Sequence, residues 1–295
     1  MKISSTYRAV ETRKVKAYVR SVETELDKLQ IIPRVANRHP FDIVGLANLS
    51  KAFAIAKACL KLLDSGHPDE AHGLSRSLVE CATNLRYLTS DSAERERRTR
   101  DFVKFAMADK AFWYHYALQS AKNGREKVEL RAYAKQLGIA DNTKPARQHW
   151  AGKGSGFIWD ATMLDHPIDG PVTVSHRKKA YAVDYYQTSA FVHCSLPAID
   201  SYYADDGVPF VVSASSGHHE THQSTLFIIL IYIHSSISYV LFGLNIDRPA
   251  KLNALFERTL NKMKPIPSHH KFPQPSIIRM KRKQSRKVPV MKRTA

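Results

Sequence analysis

Apolar residues recur at helical spacing along most of the chain. Near the N-terminus they fall at steps of three and four, at Val15, Val19 and Val22. A longer stripe with the same spacing runs through residues 41–63. Residues three or four apart lie on one face of an α-helix, so this pattern predicts amphipathic helices that bury one side.

Residues that start or stop helices separate these segments. Ser65-Gly66 suits a left-handed helix end, Pro68 suits a first helical turn, and Asn123-Gly124 interrupts a long charged helix. We therefore predict an all-α, multi-helix bundle. The predicted helices span residues 6–29, 41–63, 68–88, 92–122, 125–137, 176–195, 221–244 and 249–263.

Two segments depart from the helical pattern. Residues 139–175 are rich in Gly and Pro and contain Trp150 and Trp159, which predicts an ordered loop region with at most short helical turns. Residues 208–213 suit a short strand or an extended connector. We expect one helical bundle domain over residues 1–264.

The C-terminal segment, residues 265–295, has too few apolar residues to fold alone and is predicted to be a disordered basic tail. The chain has 45 Lys and Arg against 27 Asp and Glu, a net charge of +18. Eleven of these cations lie between Lys262 and Arg293, where there is no acid, so the body carries about +7.

A basic segment of this kind predicts salt-sensitive, sequence-independent binding to a polyanion. Nucleic acid, RNA or DNA, is the expected partner, and an anionic membrane surface would satisfy the same charges. The residues predicted to bind nucleic acid are Arg279, Lys281, Arg282, Lys283, Arg286 and Lys287.

Residues 225–244 form 20 consecutive positions without a formal charge, which is long enough to span a membrane. His234, Ser235, Ser236 and Ser238 interrupt the apolar run near its middle. Polar residues at the centre of a bilayer are costly, so we interpret the segment as a buried core helix. A membrane span remains the alternative.

Polar residues form two ladders at a spacing of four. Such residues share one helix face, and a buried polar ladder needs a polar partner, so we expect the two ladders to face each other. The first ladder consists of His72, Arg76, Glu80 and Asn84, and the second of Tyr181, Tyr185, Ser189 and His193.

Three of these residues form a candidate catalytic group. His193 would act as general acid or base, Glu80 would orient it or accept a proton, and Arg76 would hold an anion such as phosphate. The alternative is a structural network built on an Arg76–Glu80 pair. The supporting polar cluster is His72, Asn84, Trp150, Tyr181, Tyr185 and Ser189.

Part of this pattern resembles a known family. The run Arg-Ser-Leu-Val-Glu at 76–80, Trp150 in His-Trp-Ala-Gly-Lys, and the Tyr, Ser and His ladder at 181–193 resemble the bacterial domain-of-unknown-function family 5677. The resemblance covers about residues 41–203. It implies an all-helical bacterial domain and brings no established activity.

That family is distantly similar to HEPN-type helical domains of toxin and phage-defence proteins. Members that cut RNA carry Arg followed by four to six residues and His. The corresponding positions before His193 are Tyr186, Gln187 and Thr188, and the chain's match, Arg34-x4-His39, lies in a predicted loop. The RNase interpretation therefore lacks its expected arginine.

Other motifs imply little further chemistry. Cys59, Cys81 and Cys194 are far apart, which fits a reducing compartment and no disulfide framework. The segment 218–222 is one residue short of His-Glu-x-x-His, and no metal site is predicted. The N-terminus lacks an apolar signal core, so we expect a cytoplasmic protein. Cofactor and oligomeric state stay open.

These observations support one leading function and two alternatives. The leading hypothesis is an uncharacterised cytoplasmic bacterial protein that binds or acts on nucleic acid, in phage defence by the HEPN-like resemblance. The second is a non-enzymatic interaction module with structural polar ladders. The third is a membrane-associated protein that uses residues 225–244 and the basic tail.

Overall fold

The computed structural model describes residues 5–31, 39–136, 139, 157–168, 174–192 and 219–263. These residues form ten α-helices and one π-helix, without a strand among them. The α-helices are α1 (Ser5–Lys28), α2 (Pro40–Asp64), α3 (Pro68–Thr89), α4 (Arg95–Ser120), α5 (Gly124–Gln136), α6 (Phe157–Met163), α7 (Val174–Ala180), α8 (Gln187–Val192), α9 (His219–Gly243) and α10 (Ala250–Lys262).

The all-α prediction is confirmed, and the helix ends follow from local chemistry. At the start of α2, the ring nitrogen Nδ1 of His39 accepts a hydrogen bond from the backbone N–H of Phe41 at 3.0 Å. Pro40 and Pro68 occupy first turns, where a missing N–H costs nothing. Gly66 follows α2 with φ +83°, a conformation that side chains disfavour.

Helix α9 lies at the centre of the packing. It contacts α1, α2, α3 and α10, and it packs most extensively against α3. Leu226, Ile229, Leu230 and Ile233 of α9 are fully buried in a core shared with these neighbours. The prediction that this apolar segment packs against other helices is therefore confirmed.

Among the described residues, two helices are long and apolar enough to cross a membrane, Pro40–Asp64 and Thr221–Gly243. In their most apolar windows, 56% and 67% of residues are buried inside the protein. Core helices meet the same criterion of length and composition, so the criterion alone does not separate a span from a core helix.

A second, smaller apolar cluster joins α4 and α5. It consists of Ala111, Tyr114, Ala134 and Ile139. Helix α4 also contacts α2 and α3, which connects this pair of helices to the larger core.

The segment predicted as one helix over residues 176–195 is more complex. Between α7 and α8, residues Tyr181–Tyr186 form a π-helix. A π-helix closes each turn with i→i+5 hydrogen bonds, so it changes which side chains share a face. The predicted helix is present over residues 174–192, and its middle turn is a π-helix, which spacing alone does not reveal.

In the predicted loop region, α6 is a short helix and fits the expected helical turns. The predicted strand at 208–213 and the tail from 265 onward lie outside the described residues.

Candidate functional site

Arg76 joins the two predicted ladders. Its Nε donates to Oε1 of Glu80 at 3.0 Å, and its Nη2 donates to the hydroxyl of Tyr185 at 3.1 Å. The guanidinium carbon also lies 5.1 Å from the centre of the Tyr185 ring. Arg76 therefore contributes an ion pair, a hydrogen bond and a cation–π contact at the junction of α3 and the π-helix.

This junction is partly open to solvent. The side chains of Arg76 and Glu80 are 20% and 36% exposed. An exposed i,i+4 ion pair stabilises a helix by only about 0.2–0.5 kcal/mol. The arrangement is thus accessible to a ligand and contributes little to folding by its charge alone.

Aromatic rings continue from this junction. The rings of Tyr181 and Tyr185 stack with their centres 5.5 Å apart and an interplanar angle of 29°. Trp159 of α6 meets Tyr181 edge-on, at 5.0 Å and 87°. Tyr181 and Tyr185 of the predicted supporting cluster therefore lie together, and Trp159 joins them although the sequence analysis gave it no role.

The first ladder does not face a single neighbour. His72 is buried, and its Nδ1 lies 3.1 Å from Oγ1 of Thr225 on α9. An α-helix turns about 100° per residue, so each step of four residues rotates the ladder by about 40°. His72 consequently contacts α9, whereas Arg76 contacts the π-helix.

The remaining ladder residues have different surroundings. Ser189 is half-buried on α8, a helix that packs against α3. The side-chain oxygen of Asn84 is buried, without a hydrogen-bond partner among the described residues. His193 and Trp150 lie outside the described residues, as do Arg279, Lys281, Arg282, Lys283, Arg286 and Lys287. The catalytic assignment to Arg76, Glu80 and His193 therefore stays a prediction.

A further polar group, which was not predicted from the sequence, lies between α3, the π-helix and α9. The hydroxyl of Tyr232 donates to Oδ2 of Asp184 at 2.9 Å, and Arg86 donates to the hydroxyl of Tyr239 at 2.8 Å. The pKa of Tyr232 is raised well above its ordinary value, mainly by burial and further by the nearby Asp184 carboxylate. The available signal was two tyrosines seven residues apart in an otherwise apolar helix.

Histidines outside the ladders have structural partners. Nε2 of His222 lies 2.9 Å from Oγ1 of Thr12, and Nε2 of His166 lies 3.0 Å from Oγ1 of Thr89. His39, the histidine of the Arg-x4-His match, caps α2, while Arg34 lies outside the described residues. Within the described ranges, no group of three or more His, Cys, Asp or Glu is placed to hold a metal ion.

The two described cysteines are poor nucleophiles. Cys59 and Cys81 are both buried and free. Burial raises the pKa of the Cys59 thiol to about 12 and also raises the pKa of the Cys81 thiol. A thiol must lose its proton to attack, so neither cysteine is suited to catalysis near neutral pH.

A groove of about 1060 Å³ lies away from the ladders, between α1 and α2. Its lining combines apolar residues such as Leu49 and Phe53 with the charged residues Glu23 and Lys57. No ladder residue lines it, so it does not extend the Arg76 site.

The sequence pattern of a family of unknown function (DUF5677) matches residues 42–208, more than half of the chain. The chain belongs to this family. The match confirms the resemblance predicted over residues 41–203. No curated protein matches the chain. No solved structure matches it either.

The DUF5677 segment contains Arg76, Glu80, Asp184 and Tyr185, whereas α9 follows it in sequence. The Arg76 junction is therefore built wholly within the family segment. The partners of His72 and Asp184 on α9 come from outside it.

Proposed function

We propose that this protein binds nucleic acid, with the basic C-terminal tail supplying the electrostatic affinity and the Arg76 junction presenting a site on the bundle. The observation that carries this proposal is the separation of charge. From Lys262 to Arg293 the chain has 11 cations and no acid. Such a segment gains affinity for a polyanion by releasing counterions.

Ion pairs within the bundle support an external partner for the tail. Glu11 pairs with Lys14, Glu23 pairs with Lys57, and Glu25 pairs with both Lys28 and Lys251. These carboxylates are already matched by cations of the folded helices. The tail charges exceed what the remaining acids of the body can neutralise, since the body itself carries about +7.

The Arg76 junction adds chemistry suited to phosphate. A guanidinium offers a planar set of donors, and this one is only partly covered. If the protein also acts on nucleic acid, Arg76 holds the phosphate and His193 serves as general acid or base. Glu80 then orients His193 or accepts a proton.

The tail is tested by deletion and by charge removal. Binding of a labelled 20-base-pair DNA duplex is measured from 50 to 200 mM salt, where a protein making six or more phosphate contacts loses roughly 10³-fold in affinity. Deleting residues 265–295 should abolish most of the binding. Changing Arg279, Lys281, Arg282, Lys283, Arg286 and Lys287 to Gln should lower the log–log salt slope by up to about 5.

A tail of the same composition in scrambled order is the matched control. It should bind as tightly as the natural tail, because counterion release does not depend on sequence. Equal binding with and without the tail would remove the basis of the proposal.

Catalysis is tested separately with His193→Ala. Turnover on RNA, DNA or nucleotides should disappear, while tail-dependent binding stays within about twofold. A melting curve of the variant separates loss of chemistry from loss of folding. Intact binding without any turnover in the wild type would favour a binding role alone.

The HEPN-like resemblance extends the proposal to phage defence in the bacterial cytoplasm. Its test is the plaque count on a strain that expresses the protein, compared with strains that express the tail deletion or His193→Ala. Protection that both variants retain would count against a role for nucleic-acid binding or catalysis in defence.

A non-enzymatic interaction module is the second candidate. His72 contacts Thr225 of α9, and Tyr232 of α9 donates to Asp184 of the π-helix. These buried or half-buried hydrogen bonds join helices, which favours a structural role for much of the polar network. This candidate predicts a protein partner that co-purifies with both the full chain and the tail deletion. Membrane association, the third candidate, predicts that the protein stays in the membrane pellet after a high-salt wash.

A further inference from the structure

The π-helix turns Tyr186 toward the face that Tyr181 and Tyr185 share. In the turn Tyr181–Tyr186, i→i+5 closure brings the sixth residue, Tyr186, back toward the first, so Tyr186 joins Tyr185 beside Tyr181. Burial is the largest cause that raises the pKa of Tyr181. The neighbouring Tyr185 and Tyr186 raise it further, in keeping with this closeness.

The rings of this cluster differ in what they already contact. Tyr185 contacts the Arg76 guanidinium and stacks on Tyr181, so it serves as the inner support. Trp159 and Tyr186 lie outside it and are 36% and 67% exposed. Large exposed aromatic rings such as these, of which Trp159 also packs edge-on against Tyr181, are typical of surfaces that stack on a ligand.

Charges around the cluster are mixed. Arg76 and the exposed Lys178 provide cations, and Arg177 pairs with Asp165 at 2.8 Å. Glu80 and Asp160 are the nearby acids on α3 and α6. A ligand recognised here therefore gains most from ring stacking and draws its long-range attraction from the net charge of +18.

We propose that Trp159, Tyr181 and Tyr186 form a stacking surface for unpaired bases of single-stranded nucleic acid. This inference rests on the proposed function and specifies its substrate class. Every base has a π-face, and only unpaired bases expose it, so aromatic platforms with nearby cations bind single strands with little sequence preference.

The tail does not supply this interaction. Residues 265–295 contain one aromatic residue, Phe272. The tail attracts any polyanion, whereas the aromatic surface distinguishes single strands from duplexes. The two parts of the chain thus make separable contributions to binding.

The test compares two probes on the full-length protein at one salt concentration: a labelled 20-nucleotide oligo(dT) and a 20-base-pair duplex. Trp159→Ala and Tyr186→Ala should each weaken oligo(dT) binding roughly 5- to 150-fold, the range for loss of one stacked base. Duplex binding should change less than twofold. Trp159→Phe retains a ring and should recover most of the affinity.

Tyr133→Ala on α5 is the matched control, because Tyr133 is 59% exposed and lies on a helix that packs mainly against α4. It should bind both probes like the wild type. Tyr186→Ala guards against misfolding, since Trp159 also packs on Tyr181.

Fluorescence gives an independent readout. The chain has three tryptophans, and oligo(dT) should quench the wild type more strongly than Trp159→Phe. Wild-type protein that binds neither probe would overturn the proposed function. Wild-type binding that Trp159→Ala and Tyr186→Ala leave unchanged, or reduce equally on both probes, would overturn the stacking surface alone.

Discussion

Nδ1 of His72 lies 3.1 Å from Oγ1 of Thr225, across the contact between α3 and α9. The hydroxyl of Thr225 donates its own proton to the carbonyl of Thr221. The two groups lie within hydrogen-bond distance of each other, and the tautomer of His72 decides which of them donates. This bond ties the family segment to the helix that follows it.

The same arrangement recurs at two other helix contacts. Thr12 donates to the carbonyl four residues before it and lies 2.9 Å from Nε2 of His222. Thr89 donates to the carbonyl four residues before it and lies 3.0 Å from Nε2 of His166. In each case a buried threonine donates to a carbonyl of its own helix and lies within hydrogen-bond distance of a histidine on another segment.

Acid should weaken the fold through His72. Burial lowers the pKa of His72 from 6.5 to about 4, so the unfolded chain binds a proton first as the pH falls. Stability from this group is complete above pH 6.5 and declines by about 3 kcal/mol as the pH falls to 4. Urea unfolding at pH 7, 5.5 and 4.5 measures this loss.

His72→Asn is the comparison for that experiment. Asn offers an N–H donor near the position of Nδ1 but does not titrate. Its free energy of unfolding should fall less between pH 7 and 4.5 than that of the wild type. Burial also lowers the pKa of His234 to about 4, and this contribution cancels in the comparison. Equal pH slopes would contradict the assignment.

Tyr232→Phe should destabilise the protein. The hydroxyl of Tyr232 donates to Asp184 at 2.9 Å, and its removal takes a partner from a half-buried carboxylate. The expected cost is about 1–3 kcal/mol in the free energy of unfolding. Tyr133→Phe, at a side chain 59% exposed, should change it by less than about 0.5 kcal/mol.

Gly243→Ala should also destabilise the fold. A Cβ at Gly243 would overlap the ring of Phe41 and lie 2.8 Å from Cγ2 of Thr89. Forcing atoms into a filled core costs about 1–3 kcal/mol. Gly124→Ala, where nothing lies within 4 Å of the added carbon, should be neutral or mildly stabilising. Thermal melting of both variants measures this difference in stability.

Arg76 and Tyr185 should be energetically coupled. The hydroxyl of Tyr185 accepts from Arg76 at 3.1 Å, and its ring lies beneath the guanidinium. A double-mutant cycle with Arg76→Ala and Tyr185→Ala should give a coupling energy of about 0.5–1 kcal/mol, toward the low end because the site is partly exposed. Additive losses would show that the two side chains act independently.

Helix positions could be read from the sequence because their causes are local. Pro68, Gly66 and the stripe containing Val15 and Val19 act within a few residues of where they stand. The structure confirms helices at these places. The i,i+4 pair of Arg76 and Glu80 is local in the same sense, and the structure contains it.

Partnerships between distant segments were decided only by the tertiary structure. Each step of four along α3 rotates by about 40°, so the side of the ladder that meets each neighbour depends on where that neighbour packs. His72 therefore reached Thr225, and Arg76 reached Tyr185. The π-turn depends on that packing as well, because a helix accepts an inserted residue where surrounding contacts compensate for its poorer hydrogen bonding.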